Sequence, residues 1–243
     1  ISIYAVFNSS YELVDYYLTK NNVKVLKNFN LSETEQLLEY KNLSNEFSRT
    51  IFGLYDIANN INMNSKAKER YWKKKGSDFK LCKSEIIISE FSILFNRLIA
   101  LIAYESKCTY IYKYQDPEYL SKLINELNIR KCDLINDIIN NIYLNSGYSI
   151  VPKLHTGLNE PIYSSSSNPL RNYPDTFNQY LIHSQYFNDL SLPYTDNEIE
   201  NMVDYFNKRR NEMLLLNREL CKYLKYKKIK GFIFNINQGL MKT

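Results

Sequence analysis

The chain has 243 residues, of which 44% are hydrophobic and 23% are charged. This composition is too apolar for a disordered protein, and the length allows one large domain or two small ones. Only six glycines are present, and the sequence holds no G-x-x-x-x-G-K-S/T, G-x-G-x-x-G, H-E-x-x-H or G-x-S-x-G pattern. It therefore excludes a P-loop nucleotidase and carries no signature of a zinc protease or a serine hydrolase.

The N-terminal part predicts a strand followed by helices. Residues 1–7 (ISIYAVF) are β-branched and aromatic, which is typical of a strand. Ser10 is expected to cap a short helix that ends at Thr19. The run Ser32-Glu33-Thr34-Glu35 matches a capping box, so a long helix is expected from Glu33.

The central part predicts one apolar helix and several shorter elements. Ser84 opens a helix that runs to Glu105, and the polar residues within it favour a buried helix over a membrane span. A strand is expected at 108–114. Helices follow at about 117–127 and 131–145.

The C-terminal part begins with a strand over 148–154. Residues 155–174 are rich in Ser, Asn and Pro and predict a mobile loop or linker. Helices then start at Asp175 and at the capping box of Thr195, and residues 229–236 form a last strand that pairs with the first. The sequence thus predicts one domain over 1–243, of the α+β class and predominantly α-helical, with a small sheet formed by terminal and central short strands.

Positive charge is concentrated in two stretches. The net charge is +5, whereas residues 66–83 hold eight Lys/Arg against two acids and residues 208–230 hold nine against two. Such segregation is typical of a surface that binds phosphates, and the alternative is a pair of solvated helix faces. The RNA-binding candidates are Lys73, Lys74, Lys75, Lys208, Arg209 and Arg210.

Acid–base chemistry falls on the two histidines, His155 and His183. Metal-independent RNA cleavage needs a general base, a general acid and a cation, and a histidine has an ordinary pKa of about 6.5. Arg171 lies on the same segment as His155 and supplies the cation. Tyrosines would stack on unpaired bases. The alternative is that His155 is a solvated loop residue and that His183 packs or caps.

The four cysteines are too far apart for a zinc site, and no metal or cofactor is expected. Cys82, Cys108, Cys132 and Cys221 form one or two disulfides if the protein is secreted. They are free thiols if it is not. The sequence leaves both possibilities open.

In general character the chain resembles the secreted ribotoxins of yeast linear-plasmid killer systems, which cleave transfer RNA in the anticodon loop. The resemblance is carried by the strand ISIYAVF, a start at Ile1 instead of Met, a basic pI, few histidines, and an AT-driven composition in which Asn, Ile, Lys and Tyr make up 100 residues. It implies secretion, action in the cytoplasm of a target cell, an immunity protein or carrier subunit as partner, and a processed N-terminus.

The resemblance also implies a catalytic carboxylate near the mature N-terminus and a later histidine. The strand ISIYAVF carries no acid, so the first candidate is Glu12 on the following helix. If Ala5 stands in the place of that acid, the chain is an inactivated variant or lies outside the family. The catalytic candidates are thus His183, His155, Glu12 and Arg171.

Three hypotheses follow. A tRNA endonuclease predicts a concave basic surface that brings residues 66–83 or 208–230 near one histidine. A non-enzymatic helical recognition protein, such as a surface adhesin or a viral or immunity-type binding module, predicts an exposed aromatic patch. A purely structural domain predicts neither. The nuclease is favoured because segregated charge together with many tyrosines suits RNA.

Overall fold

A computed structural model describes residues 1–40, 45–64, 82–115 and 146–240 of the protein, with side chains up to Leu220 except at 217 and 218. The fold is α+β and predominantly helical, as the sequence predicts. The described helices are α1 (Leu31–Tyr40), α2 (Glu46–Asn64), α3 (Lys83–Glu105), α4 (Tyr173–Gln185) and α5 (Asp196–Leu240). The described strands are β1 (Ser2–Phe7), β2 (Leu13–Thr19), β3 (Tyr112–Gln115) and β4 (Ser146–Ser149).

Helix α3 lies at the centre of the core, as its apolar sequence predicts. By length and composition alone it could cross a membrane, but its Leu98, Ile99 and Ala100 are buried at 1% exposure or less. Ile99 and Ala100 share a core cluster with Leu181 of α4 and Ile199 of α5. The helix ends where Lys107 takes a positive φ of 54° and the Cys108 N–H bonds back to the Ala103 carbonyl.

The N-terminal hairpin differs from the prediction of a helix at 10–19. Strands β1 and β2 pair antiparallel, with Tyr4 opposite Tyr17. The Asn8 carboxamide accepts the N–H groups of Ser10 and Glu12 at 2.9 Å, and Tyr11 takes a φ of 60°. These bonds close a reverse turn, so Ser10 lies in the turn and caps no helix.

Other boundaries also moved. The expected long helix from Glu33 is described as α1 and α2, and α1 is capped by Asn30, which exchanges bonds with Glu33. Residues 229–236, predicted as a strand paired with the first, lie inside α5. The Thr195 capping box is confirmed, because Thr195 and Glu198 exchange hydrogen bonds. The expected helices at 117–127 and 131–145 lie outside the described residues.

Strand β3 lies between β4 and the Ser-rich segment. Its pairing with β4 sets Lys113 opposite Tyr148 and Gln115 opposite Ser146. On its other edge, the Lys113 N–H donates to the Tyr163 carbonyl at 2.8 Å, and a single bridge joins Tyr112 to Ser164. Within the segment predicted as a mobile loop or linker, 155–174, residues 155, 156, 163 and 164 therefore bond to β3.

Candidate nucleic-acid interface

Residues 162–172, termed here the anchored loop, are held in place by a buried asparagine of α3. The Asn96 side-chain oxygen accepts the backbone N–H groups of Ser166 and Ser167 at 2.8 and 3.0 Å. The Asn96 backbone carbonyl accepts the Ser164 hydroxyl at 3.1 Å. Ser164 and Ser166 are fully buried, so these bonds satisfy polar groups that water cannot reach.

A second asparagine holds the anchored loop from α4. The Asn178 side chain accepts the Ile111 N–H at 3.0 Å and donates to the Ile111 carbonyl at 2.9 Å. It also donates to the Ser165 carbonyl at 3.1 Å. One fully buried amide thus joins the chain entering β3 to the middle of the anchored loop.

The end of the anchored loop is a turn closed by Asp175. One carboxylate oxygen of this fully buried residue accepts the Asn168 N–H at 2.9 Å, and the other accepts the Asn172 side-chain amide. The turn leaves Arg171 exposed, with its guanidinium bonded to the Asn168 side chain at 3.1 Å. Tyr173, two residues further on, is 63% exposed. A cation and an aromatic ring therefore lie together on a rigid support.

Two further cations lie behind this turn. Arg210 of α5 donates to the Ser146 carbonyl and, at 2.6 Å, to the Ser146 hydroxyl. Lys113 is partly buried on β3; desolvation lowers its pKa, the nearby Arg210 lowers it further, and Asp175 opposes both effects. Tyr148 lies between them: burial raises its pKa, whereas its hydrogen bond with Asn172 lowers it. These interactions place Lys113, Arg210 and Asn172 in one neighbourhood.

Two acids, one on α3 and one in the segment that packs against it, have raised pKa values. Glu160 lies 3.6 Å from Arg97, and burial raises the pKa of its carboxyl while Arg97 opposes the shift. Glu90 is seven residues before Arg97 and hence on the same side of the helix. Burial raises the pKa of Glu90 to about 7, so this carboxyl can give or take a proton near neutral pH.

The predicted residues His155 and Arg210 lie on opposite sides of β3. His155 bridges to Gln115 at the end of β3, Gln115 is opposite Ser146, and Ser146 holds Arg210. The His155 ring packs edge-on against Tyr163, with ring centroids 4.9 Å apart. This histidine is thus at the base of the anchored loop.

The predicted residues His183 and Glu12 have other neighbours. The His183 Nδ1 atom lies 3.1 Å from Asp189, which also pairs with Lys20 at 2.9 Å. Glu12 is in the turn between β1 and β2, and its carboxylate accepts the Asn8 amide. The described contacts therefore do not assemble His183, His155, Glu12 and Arg171 into one catalytic centre.

Of the predicted RNA-binding lysines and arginines, only those on α5 lie within the described residues. Lys73, Lys74 and Lys75 lie outside the described residues. Lys208 is exposed on α5, and Arg209 pairs with Glu212 at 2.6 Å. Cys82 and Cys108 are free thiols, and no three His, Cys, Asp or Glu side chains group as a metal site within the described ranges.

Sequence reasoning missed the residues that support this region. Asn96 and Asn178 lie within apolar helical patterns and Asp175 lies at the expected start of a helix, and residues of these types are usually exposed. Lys113 lies in a short strand and stands in neither basic stretch. The signal in the sequence was a combination of two features. Isolated polar residues lie in apolar helices, and a Ser-rich segment has backbone groups that need hydrogen-bond partners.

The comparison with protein families decides the family. A model described as the RNB domain matches residues 1–188, which include the anchored loop and α4 and end before α5. This chain belongs to the RNB family. The family comprises exoribonucleases of the RNase II and RNase R type. The resemblance to killer-plasmid anticodon toxins was therefore wrong, whereas the broader prediction of a ribonuclease-type, RNA-binding protein is supported.

Solved structures show the same fold. RNase R of Mycoplasma genitalium, in complex with ribose-methylated single-stranded RNA, matches with a TM-score of 0.61 and 18% identity over 91% of this chain. Dss1 exoribonuclease of Candida glabrata matches with a TM-score of 0.54 and 18% identity over 76% of the chain. Yeast Ssd1, described as a pseudonuclease, matches with a TM-score of 0.60 and 13% identity over 87%.

The chain spans only part of each of these proteins. It covers 43% of the RNase R chain, 28% of Dss1 and 32% of Ssd1. No curated protein sequence gives a significant match. At these identities the solved structures establish the fold, and the family match is what assigns the chain to the RNB group.

Proposed function

We propose that this chain is the RNA-binding part of an RNB-type exoribonuclease, and that single-stranded RNA lies across the anchored loop. The observation that carries the proposal is the rigid turn of residues 168–172, which presents Arg171 to solvent within the segment matched by the RNB model. Support also comes from the RNase R neighbour, which is described with single-stranded RNA.

The geometry suits a phosphate backbone. An arginine binds a phosphate through two parallel N–H groups, and a guanidinium already oriented by a neighbour loses less side-chain entropy on binding. The Asn168 contact provides this orientation. The exposed ring of Tyr173 lies two residues away and offers a face on which an unpaired base can stack, worth about 1–3 kcal/mol.

Exonucleolytic cleavage replaces the endonuclease hypothesis. Transfer RNA as the substrate, an immunity protein and a killer plasmid belonged to the toxin resemblance and are not proposed. Secretion is tested by no observation and stays a prediction. Hydrolysis of RNA from one end is part of the proposal because the chain belongs to the RNB family. The chain covers less than half of RNase R, so this activity has to be tested directly.

The binding test uses Arg171→Ala in the purified chain, with a short fluorescent single-stranded RNA and anisotropy as the readout. Loss of one oriented phosphate contact is expected to weaken binding about tenfold, a change of about 1.4 kcal/mol. The slope of log affinity against log salt should fall by about 0.7. Arg49→Ala, at an exposed position on α2, is the matched control and should bind like the wild type. If both variants bind the RNA with equal affinity, Arg171 does not contribute to the RNA-binding surface.

The cleavage test follows the products of an end-labelled RNA, with and without EDTA. Single nucleotides released in sequence support an exonuclease, and internal fragments contradict it. RNA that is bound but stays intact would favour the non-enzymatic alternative. The variants His155→Ala and His183→Ala are tested in the same assay. If neither substitution slows RNA cleavage, the catalytic role predicted for the histidines is wrong.

A further inference from the structure

We propose that Lys113 of β3 and Arg210 of α5 form a phosphate-binding subsite behind the turn that carries Arg171. Its ligand is a phosphate group, taken either from the backbone of bound RNA or as a free phosphate. The RNA part of this inference rests on the proposed function. Arg210 lies beyond residues 1–188, so the subsite joins the RNB segment to the helix that follows it.

The pairing of β3 with β4 brings the parts together. Residues opposite each other in an antiparallel pair point to the same side, so Lys113 and Tyr148 share a face with Gln115 and Ser146. Arg210 is fixed to that strand by its two bonds to Ser146. Two further bonds at 2.8 and 2.9 Å tie the Asn207 side chain to the Tyr148 backbone, and they hold α5 in place.

Two positive charges lie near each other in this neighbourhood. Lys113 and Arg210 are both partly buried and repel each other, and among the described residues Asp175 is an acid that acts on Lys113. Both carboxylate oxygens of Asp175 already accept bonds from Asn168 and Asn172. Among the described residues, no hydrogen bond or ion pair holds the Lys113 ammonium. Burying like charges together is costly, and an anion bound between them removes the cost.

The position also suits a strand of RNA. Asn172 directly follows Arg171 in the chain and contacts Tyr148, which lies beside the subsite. The subsite is therefore next to the turn that carries the exposed guanidinium. Successive phosphates of a single strand would meet Arg171 first and the buried pair next. Phosphate contacts of this kind fix the path of the strand and carry no base specificity.

The test compares Lys113→Met with Lys107→Met, which changes an exposed lysine at the end of α3. Without ligand, Lys113→Met should melt at a higher temperature than the wild type, since a buried charge is replaced by an apolar chain of similar size. Inorganic phosphate, compared with chloride at equal ionic strength, should raise the melting temperature of the wild type and of Lys107→Met but not of Lys113→Met. Affinity for single-stranded RNA should fall five- to tenfold in Lys113→Met alone.

The outcomes separate the subsite from the proposed function. If the wild type binds RNA and Lys113→Met binds it equally well, the subsite is wrong and the proposed function stands. If the wild type binds no RNA but shows Lys113-dependent stabilisation by phosphate, the subsite stands for a free phosphate ligand and the proposed function fails. A Lys113→Met variant that melts below the wild type and shows unchanged phosphate and RNA binding would show that Lys113 is structural, and it would overturn the inference.

Discussion

The anchored loop and the N-terminal hairpin reverse the usual relation between regular structure and burial. The hairpin has two paired strands, yet Tyr4, Val6 and Tyr17 are about half exposed. The anchored loop has no helix or strand over 162–172, yet four consecutive residues, Tyr163 to Ser166, are buried.

The difference lies in where the backbone groups find partners. In the hairpin each strand satisfies the other, and the outer face needs nothing more. In the anchored loop the partners are side chains that project from α3 and α4, chiefly Asn96, Asn178 and Asp175. A segment without secondary structure can therefore be rigid when neighbouring elements supply the bonds, and such a segment can hold a functional cation in place.

The largest effect is expected from removing the support of the anchored loop. Asn96→Ala leaves the buried N–H groups of Ser166 and Ser167 without their acceptor, which should lower the free energy of unfolding by about 3 kcal/mol. Urea denaturation measures this change. RNA binding should weaken as well, because the turn that carries Arg171 continues directly from these residues.

The control for Asn96 is Asn60→Ala on α2. The Asn60 side chain bonds to the Asp56 carbonyl of its own helix at 2.8 Å, so its loss should change stability by less than about 1 kcal/mol. A loss for Asn96→Ala no larger than that of Asn60→Ala would contradict the view that side chains fix the anchored loop.

An intermediate effect that depends on pH is expected at Glu90, in the interior of α3. Its pKa is raised to about 7 by burial, so the folded state holds the proton more tightly than the unfolded state. The wild type should therefore lose stability as pH rises from about 4.5 to 7, by on the order of 2 kcal/mol, and Glu90→Gln should not. Unfolding curves at pH 4.5 and pH 8 test this. Parallel pH dependence in the two proteins would show that the Glu90 carboxyl is solvated.

The smallest effect is expected in the hairpin. Tyr4 and Tyr17 stack with centroids 5.0 Å apart and rings tilted by 6°. Tyr4→Ala should cost only about 1 kcal/mol, because it removes one cross-strand pair from an exposed face. Tyr40→Ala, at a position 80% exposed, is the control and should have no measurable effect. A cost for Tyr4→Ala as large as that for Asn96→Ala would erase the contrast between the two regions.

The sequence predicted elements whose signals are local. The apolar run of α3 and the Thr195 capping box both act over a few residues, and both were confirmed. The hairpin was missed because Ser10 can cap a helix or lie in a turn, and the Asn8 side chain decides between them. Residues 229–236 were assigned to a strand because a short apolar run does not distinguish strand from helix.

The site was predictable only in part. Its surface cation, Arg171, and the docked Arg210 were nominated from charge. Their supports were not, because Asn96 bonds to Ser166 and Ser167, 70 and 71 positions away in the chain, and Asn178 bonds to Ile111, 67 positions away. A local sequence pattern does not reveal hydrogen bonds between residues so far apart. Without knowledge of its partners, the Ser-rich segment has the composition of a linker.

The bonding of the four serines has a consequence for comparing related sequences. Ser164, Ser166 and Ser167 bond to Asn96, and Ser165 bonds to Asn178, so inserting one residue among them would shift every later group past its partner, as a register slip does in a sheet. Gaps in alignments of relatives should therefore fall at the exposed positions around Asn159 and Pro161, and the four-serine segment should keep its length even where its letters change.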